Sequence, residues 1–204
     1  MHIELLGDPA YDGGDGTWYT DTSGLSPESI VYSCGVGQNT IWDEEMIRRF
    51  GCTIHAFDMT PDAIQWVADH ALPKAFILHE YGISDRDGTI PFNLRRKPGW
   101  SGTAASTILY EGGTPTTLPV KRIRTIMREL GHNHIDVLKL DIEGEEFAVV
   151  KDLAGIPIKQ ILVEIHDWNK IKKLRRELLK LRLRLRGYTL AYKNGRDYTF
   201  IASR

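Results

Sequence analysis

Ser29-Ile30-Val31-Tyr32-Ser33-Cys34-Gly35-Val36-Gly37 runs from a β-rich stretch into a glycine turn, and helical spacing follows over Ile41 to Phe50. Asp43, Glu44 and Glu45 stand near the start of that helix, where acids complement its dipole. This is a strand, a turn and a helix, and the pattern repeats. Gly51 closes the helix, Thr53 to Phe57 reads as a second strand with Asp58 at its end, and Thr60-Pro61-Asp62 starts another helix. Ala75 to Leu78 predicts a third strand, followed by a turn at Tyr81-Gly82-Ile83-Ser84 and a tight turn at Asp87-Gly88. Helical spacing returns at Val120 to Leu130. Ile135 to Leu140 is the clearest strand and ends in Asp141-Ile142-Glu143-Gly144-Glu145; a helix follows over Glu145 to Leu153. Gln160 to Ile165 is the next strand, ending in Glu164-Ile165-His166-Asp167. Asn169 to Arg186 is a basic amphipathic helix, and Gly187 to Ala202 makes two strands around the hairpin signal Asn194-Gly195.

Alternating strands and helices with short connections predict an α/β fold whose mostly parallel sheet carries helices on both faces, with the C-terminal hairpin as an antiparallel edge. At 204 residues the chain makes one domain, 1–204. Residues 1–28 precede the first strand of the repeat as an N-terminal extension. Residues 91–117 lack clear periodicity and read as a loop-rich insertion.

A formal net charge of -1 gives no global pull toward nucleic acid or an anionic membrane, so such binding would have to come from a local patch. The opening Met1-His2-Ile3-Glu4-Leu5-Leu6-Gly7-Asp8-Pro9 lacks a basic segment followed by an apolar core, no apolar run approaches the ~20 residues of a membrane span, and Cys34 and Cys52 have no zinc or redox spacing. These features set the expectation of a cytoplasmic protein without a disulfide.

In such a sheet, ligands bind outside the carboxyl ends of the strands. The polar clusters fall at those ends: Ser33 to Gln38, Asp58, Tyr81 to Ser84, Asp141 to Glu145, and Glu164 to Asp167. Gly35 and Gly37 let backbone pass close to a ligand, and Asp58 lies about as far beyond them as a ribose-binding acid does, which favours a nucleoside. Thr40 stands where a dinucleotide fingerprint needs a third glycine, and no G-x-x-x-x-G-K-[ST] stretch is present. A helix opening with Asp43-Glu44-Glu45 seats an anion poorly but accepts a cationic sulfonium nearby.

Four stretches carry a family resemblance: Val31 to Gly37, His55 to Pro61, Leu138 to Glu146, and Leu162 to His166. Together they resemble the FkbM-type methyltransferases, over about Gly7 to Phe200, and Leu-Lys-Leu-Asp-Ile-Glu-Gly-Glu-Glu is the most specific run. The resemblance implies a Rossmann-like methyltransferase fold, S-adenosylmethionine as methyl donor, and usually O-methylation of a hydroxyl on a small molecule or sugar. It puts Ser33, Gly35, Gly37 and Gln38 around the methionine part, Asp58 with Met59 at the ribose, Gly82, Ile83 and Ser84 beside the adenine, and Asp141 near the reactive methyl. Many methyltransferases have an acid where this chain has Ser33. A hydroxyl there brings no charge, and the role can pass to Asp141.

Methyl transfer to oxygen needs an aligned acceptor and an outlet for its proton. Asp141, Glu164 and His166 are the candidate catalytic groups, with His166 leading as general base because an ordinary imidazole titrates near neutrality. Asp141, Glu143, Glu164 and His166 are alternatively a ligand set for a hard divalent ion such as Mg²⁺. Glu143 and Glu145 also suit the N-terminus of the following helix. His132 and His134 fall at the opposite end of their strand, as a surface loop or an H-x-H metal pair. Trp100, Arg95 and Arg96 are candidates for the acceptor pocket. The basic helix over 170–186 supplies the alternative to an enzyme: a solvated outer face, or a catalytically silent protein that binds nucleic acid or a membrane surface.

Overall fold

The computed structural model describes residues 1–10, 16–96, 103–106, 114–166 and 170–203, with side chains described outside 93–96, 103–106, 114 and 170–173. The chain opens with a small antiparallel ribbon, β1 (Ile3–Leu6) and β2 (Trp18–Asp21). The repeating part follows: β3 (Ile30–Cys34), α1 (Ile41–Phe50), β4 (Thr53–Phe57), α2 (Pro61–Asp69) and β5 (Phe76–His79). Next come β6 (Gly82–Ile83), β7 (Gly88–Arg96), β8 (Thr103–Ser106) and β9 (Thr114–Lys121). The chain then runs through α3 (Ile123–Leu130), β10 (Ile135–Leu140), α4 (Glu146–Asp152), β11 (Ile158–Glu164) and α5 (Lys170–Leu185). It ends in the hairpin β12 (Tyr188–Asn194) and β13 (Asp197–Ala202).

The main sheet has the order β12-β13-β11-β10-β3-β4-β5. Its five inner and outer strands from β11 to β5 are parallel, and β13 joins antiparallel to β11, as the Asn194-Gly195 turn predicts. Strand residues alternate between two cores. On one face Leu138 and Leu140 of β10 meet Ile126 of α3, Val149 and Val150 of α4, and Leu179 and Leu183 of α5. On the other, Val31, Ile54 and Val137 meet Trp42 and Met46 of α1. The chain therefore moves outward in one direction from β3 with its helix on one face, and in the other direction from β10 with its helices on the opposite face. β3 and β10 are neighbours at the reversal, and sheets of this kind take ligands outside the carboxyl ends of such strands.

The strands β1 and β2 of the N-terminal extension are tied to the sheet: Gln160 accepts from Asp21 N–H at 3.0 Å and donates to Asp21 O at 2.8 Å, and Trp42 Nε1 donates to Thr20 Oγ1 at 3.1 Å.

The 91–117 stretch departs from expectation. Instead of an aperiodic loop it contributes strands to a second sheet of order β6-β9-β7-β8. Ile90, Phe92, Leu118 and Val120 alternate inward and pack on Met59 at the end of β4. Proline hides this alternation, because Pro91, Pro115 and Pro119 punctuate it. Pro91 precedes the part of β7 that pairs with β8, and Pro119 precedes the part of β9 that pairs with β6, so each lies where a strand neighbour is absent on one side. The Tyr81-Ser84 turn becomes the short strand β6 because Gly82 and Ile83 pair with Val120 and Lys121 of β9, and α3 accordingly starts at Ile123 rather than Val120.

Cys34 and Cys52 are buried and free. Among the described residues no helix is long and apolar enough to cross a membrane.

Candidate functional site

The glycine turn after β3 is locked from three sides. Gly35 has a left-handed φ of 84°, and a Cβ on it would sit 1.7 Å from the Asp141 carbonyl oxygen, so only glycine lets β3 and β10 end this close. Gly35 N–H donates to Phe57 O at 2.9 Å, and Asp141 N–H donates to Cys34 O at 2.9 Å. Asp58, from the end of β4, accepts on Oδ2 from the N–H groups of Val36 at 2.9 Å and Gly37 at 3.0 Å; its Oδ1 accepts from Thr60 N–H at 2.8 Å and Thr60 Oγ1 at 2.7 Å. Its four acceptor directions are thus engaged within the protein. Gly37, with φ 57°, is exposed and has open space where a side chain would be.

Beneath the turn lie two buried ionisable side chains that the sequence did not single out. Lys139 is 4% exposed, and its ammonium donates to Gly35 O at 2.9 Å. Asp43 of α1, 1% exposed, faces it: burial raises the Asp43 pKa, and the Lys139 charge and the Ser33 hydroxyl pull it back only in part. Ser33 pairs with Lys139 across the β3–β10 ladder and shares its face. Its side chain is fully buried toward α1, below the turn, rather than exposed beside a ligand. A lysine in an otherwise apolar strand was the available signal.

The ends of β10 and β11 converge on His166, whose side chain is 3% exposed. Its Nδ1 lies 2.7 Å from Glu146 Oε1, a fully buried carboxylate that also accepts from Gly144 N–H at 3.0 Å. Its Nε2 faces Glu143 Oε2 at 3.6 Å, Glu164 Oε1 at 3.7 Å and Asp141 Oδ1 at 3.9 Å. Glu143 reaches this position from a left-handed backbone at φ 51°, alone among the described non-glycine residues. Burial disfavours the imidazolium, but the hydrogen bond and charge of Glu146, with the charges of Glu143 and Glu164, overcome it and raise the His166 pKa to about 9. The surrounding carboxylates thus favour the protonated imidazole. Burial and the Asp141 charge push Glu164 up to about 7, so this carboxylate, 22% exposed, is the group poised near neutrality. Glu146, the second acid of the Glu145-Glu146 pair, was not picked out because sequence spacing does not reveal a partner twenty residues on.

The remaining candidates divide by burial. Gln38 is half-buried beside the turn, and Met59 belongs to the second core. Gly82, Ile83 and Ser84 are buried under the crevice; a Cβ on Gly82 would lie 2.6 Å from Met59 Sδ, Ile83 is a core residue, and Ser84 Oγ donates to Glu145 Oε2 at 2.7 Å. Trp100 and the side chains of Arg95 and Arg96 lie outside the described residues. His132 and His134 sit at the far end of β10: His132 Nδ1 is 2.9 Å from Tyr32 OH, and His134 Nε2 is 3.2 Å from Asp136.

Residues 26–190 match the methyltransferase FkbM domain. Over 140 residues, 67% of this chain, it is 27% identical to a probable methyltransferase-like protein 24 of Rattus norvegicus, and over 141 residues it is 28% identical to the Homo sapiens protein of that name. The matched region is 32% of either relative, so the chain spans about a third of the curated proteins it resembles.

Proposed function

The chain belongs to the methyltransferase FkbM domain family, and from that premise we propose that it is an S-adenosylmethionine-dependent methyltransferase with a Rossmann-like methyltransferase fold, acting on a hydroxyl oxygen of a small molecule or sugar. The observation that carries this reading is the Gly35–Gly37 turn at the sheet's reversal, packed on Asp141 and facing the strand end of Glu164 and His166. The fit is chemical. The N–H groups of Val36 and Gly37 point at Asp58 and are not offered to a phosphate, while Asp58, Asp141, Glu143 and Glu164 crowd the crevice with carboxylates that suit a cation.

S-adenosylmethionine, when bound, supplies a methyl group on a cationic sulfur, so the acceptor oxygen gains a methyl and gives up a proton. Gly35 and Gly37 admit the methionine part next to backbone, and Gln38 borders it. Asp58 meets the ribose once Thr60 Oγ1 turns away from Oδ1, Met59 backs the nucleoside, and Gly82, Ile83 and Ser84 form the floor under the adenine. Asp141 stands beside the reacting centre. Glu164 takes the acceptor proton, and His166 holds the surrounding carboxylates in place as a fixed cation rather than removing the proton.

A second reading of the same cluster is favoured by one distance relation: ligand atoms of Asp141, Glu143 and His166 all lie within 4.8 Å of one another. In this reading the triad, with Glu164 adjacent, takes a divalent ion such as Mg²⁺, and His166 must first lose its proton.

Calorimetric titration with S-adenosylmethionine, its demethylated product and NAD, repeated with Asp58→Ala, tests the proposal. Binding of the first two, weakened at least tenfold by the substitution, is expected. A folded protein that binds neither, or that prefers NAD, overturns it. Acceptor screening with and without Mg²⁺ then separates the two readings.

A further inference from the structure

The basic helix α5 faces its own protein with Leu179 and Leu183, which are 1% and 0% exposed. Its other leucines point the opposite way: Leu174, Leu178, Leu181 and Leu185 are 65%, 44%, 50% and 79% exposed. Their spacing of four, three and four residues is that of consecutive d, a, d and a positions of a heptad, and Ile171 occupies the preceding a position in the sequence. On a helix of 3.6 residues per turn this stripe spans roughly 60–80°, the width of a coiled-coil seam and narrower than the apolar face of a helix lying in a lipid interface. From Leu174 to Leu185 it runs about 17 Å.

The flanks of the seam choose the partner. Positions e and g hold Lys170, Arg175, Glu177, Arg182 and Arg184, four cations to one acid. Glu177 is already paired with Lys180 at 2.8 Å, whereas Arg175, Arg182 and Arg184 make no ion pair among the described residues. A second copy of the same helix would set cation against cation along both flanks, which disfavours self-pairing. An acidic helix would meet each arginine with a carboxylate while its leucines cover this seam.

We propose that α5 is a docking surface for an amphipathic helix with apolar a and d positions and acidic e and g positions. The surface lies on the back of the sheet and is independent of methyl transfer.

The test uses the full chain and a labelled peptide of about three heptads, with leucine at a and d and glutamate at e and g, followed by fluorescence anisotropy. Saturable binding is expected, with at least a tenfold loss in Leu178→Ser/Leu181→Ser, whose exposed positions leave the fold intact. Arg175→Glu/Arg182→Glu should lose the glutamate peptide and gain its lysine-flanked counterpart, since e and g charges set partner choice. The full chain should sediment as a monomer. No peptide binding, equal binding of both peptides by the unaltered protein, or a leucine-dependent dimer would overturn the proposal. Leucine-dependent binding to phosphatidylserine vesicles in preference to the peptide would overturn it in favour of a membrane surface.

Discussion

Replacing Gly35 by alanine should damage this protein far more than the same change at Gly37, and the difference follows from the turn's geometry. At Gly35 the new methyl would lie 1.7 Å from the Asp141 carbonyl oxygen, whereas ordinary contact begins near 3.4 Å. The ends of β3 and β10 must part by more than an ångström to admit it. That motion breaks or stretches three bonds at 2.9 Å: Gly35 N–H to Phe57 O, Asp141 N–H to Cys34 O, and Lys139 Nζ to Gly35 O. Two neutral bonds at about 1 kcal/mol each and a charged one at about 2 give roughly 4 kcal/mol, and a left-handed alanine adds about 1 more. At Gly37 nothing lies within 4 Å of the new methyl, and only that last penalty of about 1 kcal/mol applies. Urea unfolding followed by the fluorescence of the buried Trp18 and Trp42 checks this. With a slope near 2 kcal/mol per molar urea, the midpoint should fall by roughly 2.5 M for Gly35→Ala and about 0.5 M for Gly37→Ala. Similar midpoints for the two variants would show that the close approach of β3 to Asp141 is not what holds the turn.

Lys139→Met leaves Asp43 buried without its counter-charge and should cost about 3–5 kcal/mol, while Lys139→Met with Asp43→Asn should recover at least half of that; additive losses in the double variant would refute the pairing. Burial, with the charges of His132 and His79, lowers the His55 pKa to about 4, so the unfolded chain binds the proton more readily, and stability should fall by about 1 kcal/mol as pH drops from 7 to 5, allowing for the partial exposure of the ring. His166 is shifted the other way: its contribution is complete below pH 6.5 and is lost as pH rises through about 9, roughly 3 kcal/mol, so urea midpoints should fall between pH 7 and 9.5. In Glu146→Gln the alkaline limb should flatten and the His166 imidazole should titrate lower by NMR; an unchanged titration would mean that Glu146 does not hold the proton.

The sequence alone determined the parts whose signals are local. Glycines at 35 and 37 after an apolar strand, acids at the ends of three strands (Asp58, Asp141 and Glu164), Thr60-Pro61 at a helix start and Asn194-Gly195 between two strands each act within a few residues, and together they impose the α/β alternation and place the candidate site. The tertiary structure decided what depends on which surfaces meet. Periodicity groups Leu174, Leu178, Leu181 and Leu185 on one face of α5 but does not tell which face the sheet will cover, and the sheet took Leu179 and Leu183. The strands β7 and β9 became visible only in their pairing, because proline broke the pattern within both. The burial of Ser33 and the carboxylate surround of His166 were likewise out of reach, because Asp43, Lys139 and Glu146 arrive from other elements. Burial and long-range charge fix a side chain's ionisation and role, and both are properties of the packed molecule rather than of any stretch of its chain.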